Sequence, residues 1–105
     1  MQYIVLAYDG TDEKATDRRL SVREEHLKSV ERRFKTGEHM YGAAITDDSG
    51  KMVGSMMVVN YSSREDLDKW LKDEPYVVGG VWQKIDIKPC KVAPIFMELY
   101  NWISS

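Results

Sequence analysis

Apolar residues run without polar interruption through Ile4, Val5, Leu6 and Ala7, the pattern of a strand buried on both faces, and predict a first strand over about Gln2 to Tyr8. A polar loop from Asp9 to Asp17 follows. Ser21-Val22-Arg23-Glu24 then has the spacing of a capping box, in which serine and glutamate satisfy the free amides of a helix start. That helix is predicted to run to about Thr36, with Gly37 as its C-terminal stop. The apolar stretches from about Glu38 to Thr46 and from Met52 to Asn60 flank Asp47-Asp48-Ser49-Gly50, which reads as a hairpin. Ser63-Arg64-Glu65-Asp66 looks like a second helix cap, and Leu67, Trp70 and Leu71 follow at helical spacing until Pro75, giving a short helix over about Ser63 to Lys72. Val81, Gln83, Ile85 and Ile87 alternate with Trp82, Lys84, Asp86 and Lys88, so the last strand has a mostly buried and a polar face, with Trp82 on the polar one.

The order strand-helix-strand-strand-helix-strand is that of an α+β, ferredoxin-like βαββαβ fold with a four-stranded antiparallel sheet. Its first and third strands are central, and here those two are the most continuously apolar. Two helices cover one face of such a sheet, yet Ile4 and Leu6, like Tyr3, Val5 and Ala7, are apolar, so the other face also needs cover. The tail from Lys91 to Ser105 carries Ile95, Phe96, Leu99, Tyr100, Trp102 and Ile103, a heavy apolar load for a terminus. We expect a domain over residues 1–91 with a C-terminal apolar extension over 92–105. The extension and a second subunit packed sheet to sheet are expected to supply the cover, making a homodimer or a larger homo-oligomer.

With 105 residues, 43% hydrophobic and 30% charged, the chain has the size and composition of one globular domain. The net charge of -2 gives no broad positive field, so neither nucleic acid nor a membrane is an expected partner. Arg18, Arg19, Arg23, Arg32 and Arg33 cluster but are interleaved with Glu24, Glu25 and Glu31, which reads as a solvated helix face. MQYIVLAYDG reads as a strand rather than a signal peptide, and a lone Cys90 suits a reducing, cytoplasmic compartment. Cys90 and the two histidines offer no zinc-ligand spacing, so no metal is expected.

The chemical clue lies on the first helix. At about 100° per residue, Leu20, Val30 and Phe34 fall within roughly 60° of Leu27. Arg23 lies inside that apolar stripe, where a cation is out of place, and His26 sits at its edge about one turn away. An arginine and an imidazole bordering an apolar face can bind an anionic or phenolic group and move a proton. Arg23 snorkelling towards Asp17 or Glu74, with His26 a boundary residue, is the competing explanation. His39, in a strand with no evident carboxylate neighbour, carries little weight. Asp73-Glu74-Pro75-Tyr76 places two carboxylates before a proline, ordinary turn chemistry unless the fold brings one beside His26.

Arg19-Leu20-Ser21-Val22-Arg23-Glu24-Glu25-His26-Leu27, Gly54-Ser55, Trp70 followed by Glu74-Pro75-Tyr76, Gly80-Val81-Trp82, and Ile87-Lys88-Pro89 occur in an order that resembles the YciI-like family from about Met1 to Lys91. The resemblance implies a dimeric ferredoxin-like α+β barrel with no known cofactor. It also implies an active site built from the helix histidine and the aspartate of an Asp-Pro-Tyr/Phe motif. Those positions are His26 and, with a departure to glutamate, Glu74; Asp73 is the substitute one residue earlier. Arg23 is the helix arginine, and Ser55 adds a strand hydroxyl. The expected function is a cofactor-independent enzyme acting on a small, aromatic or enolisable molecule: His26 is general acid or base, Glu74 or Asp73 orients it, and Arg23 holds an anionic oxygen. The alternative is a non-catalytic dimeric module that binds a small ligand or a protein partner.

Overall fold

The uninterrupted apolar run at the N-terminus forms β1 (Gln2–Asp9) in a computed structural model that describes residues 1–101. It is followed by α1 (Ala15–Lys35), β2 (His39–Thr46), β3 (Met52–Asn60), α2 (Arg64–Asp73), a one-turn α3 (Pro75–Val78) and β4 (Trp82–Cys90). A further turn, α4 (Pro94–Met97), leads into a 3₁₀ turn at Glu98–Tyr100. The sheet is wholly antiparallel in the order β2-β3-β1-β4, an α+β ferredoxin-like fold with β1 and β3 in its centre.

Period-two alternation sorts the central strands. Tyr3, Val5 and Ala7 of β1 and Met57 and Val59 of β3 are buried towards the helices, where they meet Leu67 of α2, Tyr76 of α3 and Val81. Ser63 caps α2 by accepting from the Asp66 amide at 3.1 Å. Glu74 ends α2 and caps α3, its carboxylate accepting from the Tyr76 amide at 3.4 Å. The hairpin turns on Asp47, whose Oδ1 accepts from the amides of Ser49 and Lys51, with Gly50 at φ 88°. Gly54 has a different reason to be glycine: a Cβ there would stand 2.5 Å from the carbonyl oxygen of Ala7.

Two features depart from the pattern read along the chain. Helix α1 begins at Ala15, six residues before the capping box; the Ser21 hydroxyl donates to the Arg18 carbonyl inside the helix instead of capping it. Between β1 and β4 a bulge pairs Tyr8 with Lys84 but Asp9 with Trp82. The skipped residue, Gln83, is exposed, and Trp82 turns from the predicted polar side into the core. Pro89 lies within β4, where an edge strand tolerates its missing N–H.

The face of the sheet away from α1 and α2 carries Ile4, Leu6, Met56 and Val58, all half-buried. The tail folds back over one end of it. Its Val92 amide donates to the Gln2 side chain at 2.6 Å, and the Tyr100 hydroxyl donates to the Met40 carbonyl. Between tail and sheet lies an apolar cavity of about 530 Å³ lined by Ile4, Tyr41, Val58, Phe96 and Leu99 among others. Ile95, Phe96 and Leu99 remain exposed. Trp102 and Ile103, also expected to contribute to the tail, lie outside the described residues.

Candidate active site

Helix α1 packs on the sheet with a face turned about 100° from the expected one. Its buried residues are Ala15, Arg19, His26, Ser29 and Arg33, whereas Leu20 and Leu27 of the apolar stripe are 55% and 45% exposed and Phe34 is 41% exposed. The arginine cluster is likewise divided: Arg23 and Arg32 are exposed, but Arg19 and Arg33, read as part of a solvated face, are buried. Burying such groups is costly unless they are paired and hydrogen-bonded, and each meets a partner supplied by another element.

Arg19 donates to both carboxylate oxygens of Asp9 at 2.9 and 3.1 Å and to the Ser55 hydroxyl at 3.0 Å. Trp82 donates its indole N–H to the same hydroxyl at 3.3 Å. Ser55 is thus engaged as an acceptor by two donors. His26 bonds through Nδ1 to Oε1 of Glu74, which is 1% exposed. The other oxygen of Glu74 faces Arg33 Nη2 at 3.4 Å, and Arg33 also donates to Ser29 Oγ at 3.3 Å and to His39 Nδ1 at 2.8 Å.

The His26 ring stacks on Tyr76 with centroids 4.0 Å apart and 16° between planes, and Trp82 meets it edge-on at 5.9 Å. Arg19 covers the Tyr76 ring at 4.8 Å. Burial raises the Tyr76 hydroxyl above its ordinary pKa, against the opposing charges of Arg19 and Arg23. His39 is pushed down to about 3, first by burial and then by the charges of Arg33 and His26.

These groups border a cleft of about 200 Å³ between α1 and β2–β3, lined by Arg19, Arg23, His26, His39, Ser55 and Tyr76 among others. The cleft exists because β2 presents Gly42 and Ala44 towards α1, opposite Met57 and Ser55, and these leave the space that larger side chains would fill. Of the residues singled out along the chain, His26, Arg23 and Ser55 meet at this cleft, with Glu74 behind His26. Arg23 stands exposed at its mouth with no carboxylate within 4 Å among the described residues. Asp73 is exposed and lines a different surface groove with Tyr61 and Trp70, so it is Glu74 and not Asp73 that stands at the imidazole. Asp9, Arg19 and Arg33 were not anticipated. The one signal for the two arginines is that Arg19, His26 and Arg33 recur at intervals of seven. Among the described residues, no group of histidine, cysteine and carboxylate side chains is arranged to hold a metal ion.

Over residues 1–91 the chain matches the model of the YCII-related domain. It belongs to that family. Protein YciI of Escherichia coli O6:H1 is 30% identical over 97 residues, which span 87% of this chain and 97% of that protein. An uncharacterized protein of Haemophilus influenzae is 28% identical over 98 residues, 87% of this chain and 97% of that one. Among solved structures, the 5-chloro-2-hydroxyhydroquinone dehydrochlorinase TftG of Burkholderia phenoliruptrix AC1100, complexed with 2,5-dihydroxybenzoquinone, is similar with a TM-score of 0.75 at 15% identity, covering 89% of this chain and 96% of that one. A dimeric ferredoxin-like protein of Jannaschia sp. CCS1 has a TM-score of 0.50 at 10% identity, covering 87% and 98%. At such identities these two likenesses speak for the fold. No described helix is long and apolar enough to cross a membrane.

Proposed function

We propose that this member of the family is a proton-transfer enzyme acting on a small ring compound with an ionisable or enolisable oxygen, and that it works as a homodimer. The observation that carries the reading is the His26–Glu74 pair at the cleft. A carboxylate accepts only, so Nδ1–H donates to Glu74 and Nε2 is left as the ring nitrogen free to accept or return a proton. Arg33 holds the second oxygen of Glu74 and fixes the carboxylate.

Arg23 at the mouth supplies a positive charge for an anionic oxygen, and Tyr76, backed by Trp82, gives the inner wall a flat apolar surface. A cavity of about 200 Å³ limits the ligand to a small molecule, since drug-sized sites run to roughly 300–1,000 Å³. The dehydrochlorinase TftG, which shares the fold, acts on a hydroxylated chlorinated ring and binds a dihydroxyquinone, in keeping with that substrate class. The half-buried apolar sheet face and the dimeric Jannaschia protein support the second copy.

The test is solvent exchange. The protein is incubated in D₂O with a panel of hydroxylated hydroquinones and quinones, including 5-chloro-2-hydroxyhydroquinone, and deuterium entry at ring carbon is followed by NMR. Accelerated exchange that disappears in a folded His26→Gln variant is expected. Binding without exchange would replace the enzyme with a ligand-binding module, and no binding by any member of the panel would remove the substrate class.

A further inference from the structure

The geometry points to His39 as a second working residue of the cleft, a neutral imidazole whose Nε2–H holds the substrate oxygen that gathers negative charge while His26 moves the proton. This rests on the proton-transfer reading above and adds to it a residue that the His26–Glu74 pair does not require.

Which nitrogen of His39 carries the proton follows from its neighbour. Arg33 Nη1 lies 2.8 Å from His39 Nδ1, and a guanidinium has donors only and keeps its charge at every pH a protein survives. Nδ1 must therefore accept. A proton there would set N–H against N–H, so the ring holds its single proton on Nε2. The charged and titratable groups facing the ring are Arg33 and His26 from α1; Glu74 reaches it only through Arg33, and β3 opposes His39 with the uncharged Val59. Burial and the adjoining cation keep the ring neutral well below neutral pH.

Where that proton points follows from Gly42. A Cβ built on Gly42 would stand 3.0 Å from His39 Nε2, so this nitrogen overlies the glycine that opens the cleft, and both residues line it with His26. His39 is 3% exposed, and no hydrogen bond joins its Nε2 to any described residue. The Nε2 atom is not among the side-chain atoms sealed from solvent without a partner, so it opens on the cleft, where a ligand oxygen would accept its N–H in place of water.

Arg33 thereby sets opposite polarities on the two imidazoles. Through Glu74 it secures a ring whose free nitrogen is a lone pair, and directly it secures a ring whose free nitrogen is a donor. A base and a neutral donor at one cleft are the two partners that enolisation needs: the proton leaves carbon for His26, and the oxygen that receives the electron pair is held by an N–H already in place.

Two substitutions separate this role from mere support of Arg33. His39→Asn keeps an acceptor at the Nδ1 position and loses the donor towards the cleft, whereas His39→Gln keeps an N–H where Nε2 stood. Binding of 2,5-dihydroxybenzoquinone is measured by calorimetric titration, melting midpoints are recorded alongside, and the His39 tautomer is read from long-range ¹H–¹⁵N correlations. We expect Nε2–H in the parent protein, a loss of affinity of roughly 10- to 100-fold in His39→Asn, as for a hydrogen bond to a charged acceptor, and near-parent affinity in His39→Gln. The opposite ranking, with His39→Asn equal to the parent, would overturn the proposal while leaving the His26 reading intact, as would a ring proton on Nδ1. A parent protein that binds no quinone would sink both.

Discussion

Replacing Glu74 by glutamine keeps the shape of the side chain and removes only the charge at the centre of the polar network. The variant opens no cavity, and the amide oxygen can still accept from the Tyr76 amide. What is lost is the anion between His26 and Arg33. Arg33 is 8% exposed and has no other carboxylate within 4 Å among the described residues, so the substitution strands a buried cation. Removing one partner of a buried ion pair costs about 3–5 kcal/mol, a large share of the ~5–15 kcal/mol that holds a domain together. At roughly 4 °C or more per kcal/mol for a chain near this length, the melting midpoint should fall by more than ~10 °C.

Urea denaturation at fixed protein concentration measures the loss, with Asp73→Asn as the exposed control that leaves the midpoint where it was. Adding Arg33→Met to Glu74→Gln removes the stranded charge and should restore part of the stability, because apolar replacement of a buried pair is often close to neutral. A loss below ~1 kcal/mol for Glu74→Gln, or a double variant whose cost is the sum of the two single costs, would refute the account of α1 as a helix held by buried charge pairs.

The remaining predictions concern acid stability and assembly. The His39 pKa of about 3 in the folded protein lies below its ordinary value of 6.5, so between those pH values the unfolded chain takes up a proton that the native state refuses. The corresponding stability is present above pH ~6.5 and is lost as the pH falls towards 3, at up to about 1.4 kcal/mol per pH unit. His39→Asn should therefore show a shallower fall in unfolding free energy between pH 6 and 4 than the parent, and parallel curves would contradict the burial argument. Leu6→Lys puts a charge on the part of the half-buried sheet face that does not line the cavity under the tail, and in sedimentation it should turn a dimeric parent into a monomer. A parent that already sediments as a monomer at micromolar concentration would remove the sheet-to-sheet assembly.

Much of the architecture is written in short-range pattern. The continuous apolar runs of β1 and β3 mark the centre of the sheet because only central strands are covered on both sides, and Ser63, Pro75 and Asp47-to-Gly50 act through local hydrogen bonds that need no distant partner. His26 and the Glu-Pro-Tyr turn were legible as candidates through residue type, spacing and family resemblance. Their meeting across 48 residues was implied by the resemblance alone, since spacing along the chain says nothing about contacts so far apart.

Helix α1 shows where local pattern stops deciding. Two stripes repeat along it at the same interval, Arg19, His26 and Arg33 beside Leu20, Leu27 and Phe34, and hydrophobicity alone favours burying the second. Tertiary structure reverses the choice because Asp9, Ser55, His39 and Glu74 supply the buried stripe with acceptors, and paired charges tolerate burial where solitary ones do not. The bulge that turns Trp82 inwards and the gap over Gly42 are settled in the same way, by what stands opposite. The sequence by itself determined the order of the elements, the central strands and the chemistry on offer. Which face of α1 is buried, and hence where the cleft lies and what lines it, was decided only by contacts between residues far apart in the chain.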